Sequence, residues 1–244
     1  MENNLIVLLQ LLLAHVLTDF VLQSNKMVNH KRRHTIRSWY LYAHAFLAGF
    51  LTYLILQQWT SFLVPVVIAV THFLIDLWKL HQKKDNLKYF LIDQFLHILI
   101  IVLAWLWLID GFGNLFPSVA AFFSSKINLA IVVGYLLAIF PVGFIIGKAT
   151  ERWQKEIETE EKERTSLKKA GRYIGIFERI LVLTFILSNN FSAIGFLIGA
   201  KSILRFSDSK GARKQTEYVL IGTLMSFAIC IGIGLALRYL ITFE

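Results

Sequence analysis

Three pairs of ionisable residues recur at a four-residue spacing inside apolar runs: His15 with Asp19, His72 with Asp76, and Asp93 with His97. Four residues is about one α-helical turn, so each pair lies on one helix face. His44 stands alone in another apolar run, Gln23 follows the first pair by one turn, and Gln94 adjoins Asp93. Charged side chains are expensive in hydrocarbon, so each is a functional hypothesis by default. Neutral imidazole and carboxylate are ligands for zinc and other divalent first-row metals. His15, His72 and His97 are the first-choice metal ligands, with His44 as a fourth. Asp19, Asp76 and Asp93 are further ligands, carboxylates that orient the histidines, or the general base of a catalytic site. Gln23 and Gln94 are candidate substrate contacts. The cofactor implied is a divalent metal, zinc first, which would lower the pKa of its water and give a nucleophile at neutral pH. The bland alternative is a structural network. A lone intramembrane histidine such as His44 is more often a hydrogen-bonded packing residue. Haem ligation fits less well beside so many carboxylates.

Elements that could hold these residues are plain in the composition. The 244 residues are 56% hydrophobic and only 17% charged. A soluble domain carries roughly 25% charged residues. About 20 apolar residues span a bilayer core. Candidate spans cover residues 4–23, 39–58, 61–80, 87–109 and 127–147, then two shorter pieces at 173–188 and 191–204 broken by Ser188-Asn189-Asn190, and a last run at 216–241. The broken pair reads as two thin spans or a re-entrant hairpin. The fold expected is all-α, a polytopic transmembrane helix bundle of about 7–8 membrane segments. Met1-Glu2-Asn3-Asn4 lacks a basic region, so the first run reads as a retained helix rather than a signal peptide. Cys230 is the single cysteine, which excludes an internal disulfide.

The net charge of +9 points to membrane topology rather than to nucleic acid. Lys26, Lys31, Arg32, Arg33 and Arg37 share one connection, and Lys79, Lys83, Lys84 and Lys88 another. The alternate connections are nearly free of basic residues. Positive-inside places the basic connections in the cytoplasm and the N-terminus outside. With that alternation the seven His and Asp groups fall at one level, in the cytoplasmic half of the membrane. The organisation expected is a four-helix membrane bundle over 1–110, an interfacial loop and fifth span over 111–147, a charged cytoplasmic helix over 148–172 and C-terminal membrane helices over 173–244.

In the second half Glu178 and Arg179 open a short span, and Lys201 and Arg205 close the next. Ion pairing is the bland reading. The functional one makes Lys201 and Arg205 a site for an anionic part of the substrate. Gly222, Gly232 and Gly234 read as close helix packing.

The run His15-Val-Leu-Thr-Asp19-Phe-Val-Leu-Gln23, then His44, His72-Phe-Leu-Ile-Asp76 with Lys79, and Asp93-Gln94-Phe-Leu-His97 resembles bacterial membrane proteins grouped as domain-of-unknown-function family 3307. Gly175–Arg179, Lys201–Phe206 and Glu217-Tyr218 with Gly222-Thr223 are similar to longer members. That resemblance implies a multi-pass protein of the bacterial cytoplasmic (inner) membrane and no activity. A weaker, pattern-level similarity to membrane-bound metal-dependent hydrolases implies hydrolysis. The His-x-x-x-His signature of ceramidase-like membrane hydrolases is not found.

The function expected is a metal-dependent hydrolase acting on a lipid or membrane-associated substrate. The rivals are a transporter or channel using the same groups as a proton or cation path, and a regulatory scaffold. Partners expected are membrane lipids, not nucleic acid. A homo-oligomer and a cytoplasmic protein docking on 151–170 are further options.

Overall fold

The computed structural model describes residues 2–59, 62–82, 86–160, 168–206 and 213–242, with side chains except at 2, 3, 154–160, 168–170, 203–206, 213–217 and 219. The chain is all-α, 91% helical, with no strand among the described residues. Six stretches there are long and apolar enough to cross a membrane. The apolar composition thus resolves into the helices of a membrane protein. Backbone groups have no water to pair with in hydrocarbon, so helices satisfy them internally. The chain divides into two compact units, Met1–Pro117 and Ser118–Glu244.

The first unit opens with α1 (Glu2–Val16), which runs into a π-helical turn at Leu17–Val21 closed by Leu22 N–H donating to the Leu17 carbonyl at 2.9 Å. Short α2 (Asn25–His34) follows. Ser24 caps it, its Oγ accepting from Met27 N–H. Next come α3 (Trp39–Leu56), α4 (Leu63–Leu80) and α5 (Leu87–Leu108). Asn86 starts α5 by accepting from Tyr89 N–H at 3.1 Å. Helices α1, α3, α4 and α5 close a ring, each touching two neighbours, and α2 packs on α3. Leu11, Ala48, Leu56, Val64, Ile68, Ile101 and Ala104 form the apolar core. At Gly49 the ring is closest: a Cβ there would lie 2.7 Å from the Pro65 carbonyl oxygen and 2.8 Å from the Ala69 Cβ.

Residues 112–124, expected within an interfacial loop, form α6 (Phe112–Ser124), and the boundary between units falls inside it at Pro117. The second unit continues with α7 (Lys126–Ile139), α8 (Pro141–Glu160), α9 (Lys168–Leu187), α10 (Phe191–Phe206) and α11 (Arg213–Thr242). Helix α11 packs against α7, α8 and α9 around Ala138, Val142, Leu183, Ile186 and Leu237. A Cβ on Gly234 would meet Ile186 Cδ1 at 2.6 Å, which fits the close-packing expectation; one on Gly232 would meet nothing within 4 Å. The Ser188-Asn189-Asn190 break is a tight exposed turn with Asn189 at φ 59, and Arg238 of α11 donates to Asn189 Oδ1 at 2.7 Å.

Arg179 is buried, although the sequence suggested a boundary ion pair. Its guanidinium donates to the carbonyls of Ala138 (2.5 Å) and Ile139 (3.2 Å) at the end of α7. A helix C-terminus leaves carbonyls without intrahelical donors, and the Pro141 ring removes one more N–H from the next turn. Arg179→Met is expected to destabilise the second unit by about 1–3 kcal/mol, the cost of stranded buried acceptors, read as a lower midpoint in thermal denaturation in detergent.

Candidate metal centre

Each helix of the first bundle contributes to one polar cluster. α1 and its π-helical turn bring His15 and Asp19, and the short connection after the turn brings Gln23; α3 brings His44; α4 brings His72 and Asp76; α5 brings Asp93, Gln94 and His97. All four histidines, Asp76 and Asp93 are buried. Asp19 Oδ1 lies 3.2 Å from His72 Nε2 and 3.3 Å from His44 Nε2. Asp19 Oδ2 lies 3.9 Å from His15 Nδ1. His97 Nε2 is 3.6 Å from Asp93 Oδ1 and 3.9 Å from Asp76 Oδ1. His44 Nε2 is 3.8 Å from Asp76 Oδ2. The His72 and His97 rings stack with centroids 4.1 Å apart. The six groups singled out by spacing and the lone His44 therefore meet in one place.

The glutamines hold the periphery. Gln94 Nε2 donates to Asp19 Oδ2 (3.3 Å) and Asp93 Oδ2 (3.1 Å), while its Oε1 pairs with His15 Nε2 at 3.3 Å. That pairing leaves His15 Nδ1 facing Asp19. Gln23 Nε2 lies 2.7 Å from His44 Nε2, so an ion binding that nitrogen would have to displace the amide, and His44 is a candidate secondary ligand. Gln94→Ala is expected to lower metal affinity about 10–100-fold, the usual cost of losing a residue that orients ligands, measured by competition with a chromophoric chelator.

Among the described residues, four buried atoms of the cluster make no well-aligned hydrogen bond: Asp19 Oδ1 and His72 Nε2, which face each other at 3.2 Å, and Asp93 Oδ1 and His97 Nε2, at 3.6 Å. A buried polar group left without a partner costs about 1–3 kcal/mol. Three sets present ligand atoms within 4.8 Å of one another: His15, His72 and His97; Asp19, His44 and His72; Asp76, Asp93 and His97. For zinc bonds of about 2.0–2.1 Å, two tetrahedral ligand atoms stand roughly 3.3–3.4 Å apart. The Asp19–His72 and Asp19–His44 separations are close to that edge. The donor set, its burial and its poorly satisfied atoms fit a divalent ion.

Two members of the cluster escaped sequence reasoning. Lys31, on α2, is buried and donates to Asp76 Oδ2 at 2.6 Å. Lys79, at the end of α4, donates to Asp93 Oδ2 at 2.7 Å with its side chain 28% exposed. Both had read as charges of basic connections, Lys79 also as part of the motif that carries the family resemblance. A signal for Lys31 existed: it follows Met27 by four residues and Val28 by three, on the sheltered face of α2.

The other candidate substrate residues lie in the second unit. Lys201 donates to Glu178 Oε2 at 2.7 Å, the ion pair of the bland reading. The Arg205 side chain lies outside the described residues, as do residues 161–167 and most side chains of the 151–170 docking candidate. His30 bonds Ser38 Oγ at 2.8 Å and stacks on His34. His81 bonds the Leu77 carbonyl oxygen.

The model of the family described as "Protein of unknown function (DUF3307)" matches residues 7–129, just over half of the chain. The chain belongs to this family. In this DUF3307 protein the matched stretch contains every member of the cluster, from His15 to His97. No curated protein and no solved structure matches the chain.

Proposed function

We propose that this DUF3307 protein is a metal-dependent hydrolase of the bacterial cytoplasmic membrane, acting on a lipid or membrane-associated substrate. The observation that carries the reading is the set of four poorly satisfied buried atoms, on three helical segments, within three ligand sets that are linked through His72 and His97. Such an arrangement is unfavourable by itself and becomes favourable around a cation. A bound divalent ion, zinc first, would supply Lewis-acid polarisation and an activated water. The chain's own residues position it: His15, His72 and His97 as first ligands, His44 as a fourth, and Asp19 between them. Asp93 and Asp76, whose Oδ1 atoms lie beside His97, would serve as the general base.

Topology supports the same reading. The basic residues of the α2 and α4–α5 connections put the N-terminus outside and the cluster toward the cytoplasm. Adding α9 and α10 to the six longer stretches gives eight crossings, with both termini outside. A path for ions through the bilayer is disfavoured, because Leu11, Ala48, Ile68 and Ile101 continue the bundle one helical turn beyond the cluster as an apolar layer.

The test is element-resolved metal analysis of protein purified without chelators or metal-affinity resin. Near-stoichiometric zinc or another first-row metal, removable by a chelator and restored on reloading, is expected. Protein that folds, resists reloading and holds no metal would remove the basis for hydrolysis.

A further inference from the structure

Lys31 enters the cluster from α2 and Lys79 from the last turn of α4, yet each grips the Oδ2 oxygen of a carboxylate whose Oδ1 faces His97. Three carboxylates and two ammoniums leave the cluster at one net negative charge when the imidazoles are neutral. One divalent ion reverses that to one net positive charge. In a membrane interior an unbalanced charge is costly, and one anion restores neutrality. The same ion competes with the lysines for Asp76 and Asp93. Each ammonium has three donors, of which the carboxylate takes one. Access also fits. Helix α2 lies on α3 while its Lys31 reaches α4, so α2 crosses the polar end of the bundle. The outward side of this connection exposes Lys26, Arg33 and Arg37, charges that attract anionic molecules to the mouth. Lys79 is the more open of the two lysines.

We propose that the cluster receives a phosphoryl-bearing substrate, whose anionic oxygens are held by Lys31 and Lys79 once a divalent ion occupies the carboxylates. The proposal rests on the metal reading of the same site. It moves substrate recognition from Lys201 and Arg205 into the bundle that holds the metal ligands.

The experiment uses full-length protein loaded with zinc in detergent, with inorganic phosphate as the probe in calorimetric titration. The metal-loaded wild type is expected to bind phosphate and the metal-free protein not to. Lys79→Met should weaken phosphate binding about 10–100-fold, the range for a hydrogen bond to a charged group, while Lys79→Arg keeps most of it. Lys31→Met should do the same and hold its metal as tightly as the wild type or more tightly, because Asp76 loses its resident cation. A merely structural lysine would leave the phosphate affinity of the folded, metal-loaded protein unchanged when removed. If Lys31→Met does not fold, the partly exposed Lys79 decides. Competition separates the sources: displacement of phosphate by phosphatidic acid in phosphatidylcholine nanodiscs marks a lipid headgroup, and displacement only by glycerol 3-phosphate marks a soluble phosphate ester. Metal uptake with no phosphate binding, or with affinity unchanged in both methionine variants, overturns this proposal alone. Failure of the wild type to take up metal overturns the metal reading and this proposal with it.

Discussion

His72→Ala is expected to empty the cluster of metal. His72 belongs to two of the three overlapping ligand sets. Its Nε2 is poorly satisfied, 3.2 Å from Asp19 Oδ1, and its ring stacks on that of His97. Loss of the imidazole breaks the tri-histidine set and the Asp19 set together, leaving only the lysine-paired Asp76, Asp93 and His97. Orienting residues alone are worth about 10–100-fold in metal affinity, so a shared ligand should cost at least about 100-fold. Metal content measured beside the wild type reads this directly. His81→Ala is the control, since His81 is exposed and bonds the Leu77 carbonyl of its own helix; it should retain metal. Equal metal in His72→Ala and wild type would mean that the ion sits elsewhere.

Gly49→Leu should collapse the geometry that makes the site. A Cβ on residue 49 already falls inside contact distance of α4 backbone at Pro65. Backbone cannot rotate away as a long side chain can, so the helices must separate. Overpacking costs about 1–3 kcal/mol for a few extra methylenes, and here it acts between the helices that carry His44 and His72. The expected result is a lowered thermal midpoint together with metal binding weakened at least about tenfold, even though the atoms nearest a Cβ on residue 49 belong to Pro65 and Ala69. Measuring both on one sample is informative: a lowered midpoint with full metal affinity would show that the cluster tolerates a wider bundle.

What the sequence disclosed follows from what period and composition encode. The His15–Asp19, His72–Asp76 and Asp93–His97 pairs are visible because four-residue spacing is a property of the helix itself. Their gathering was inferable because apolar lengths set the depth of each residue along its span. Lys31 and Lys79 were hidden for the opposite reason. A four-carbon stem separates charge from backbone by several ångströms, so residue position near a loop says little about where the ammonium ends. Arg179 misled in the same way, its reach carrying it to the end of α7. The α6 helix was masked by Pro117 and glycines that read as loop punctuation. Where neighbours rather than local pattern decide the outcome, as in the Lys201–Glu178 pair, residue types alone left both readings standing.

The π-helical turn at Leu17–Val21 is where the first span takes up a surplus residue. Each residue of an α-helix advances about 100° around the axis, and such a turn holds one residue beyond the regular count. Because the extra residue is absorbed locally, the chain on either side keeps its phase. Deleting one of these five residues would restore ordinary winding and leave His15 and Gln23 facing as they do. What would change is the side chain presented inside the turn, where Asp19 sits. Relatives one residue shorter here should therefore keep the flanking side chains and lose or re-aim the carboxylate.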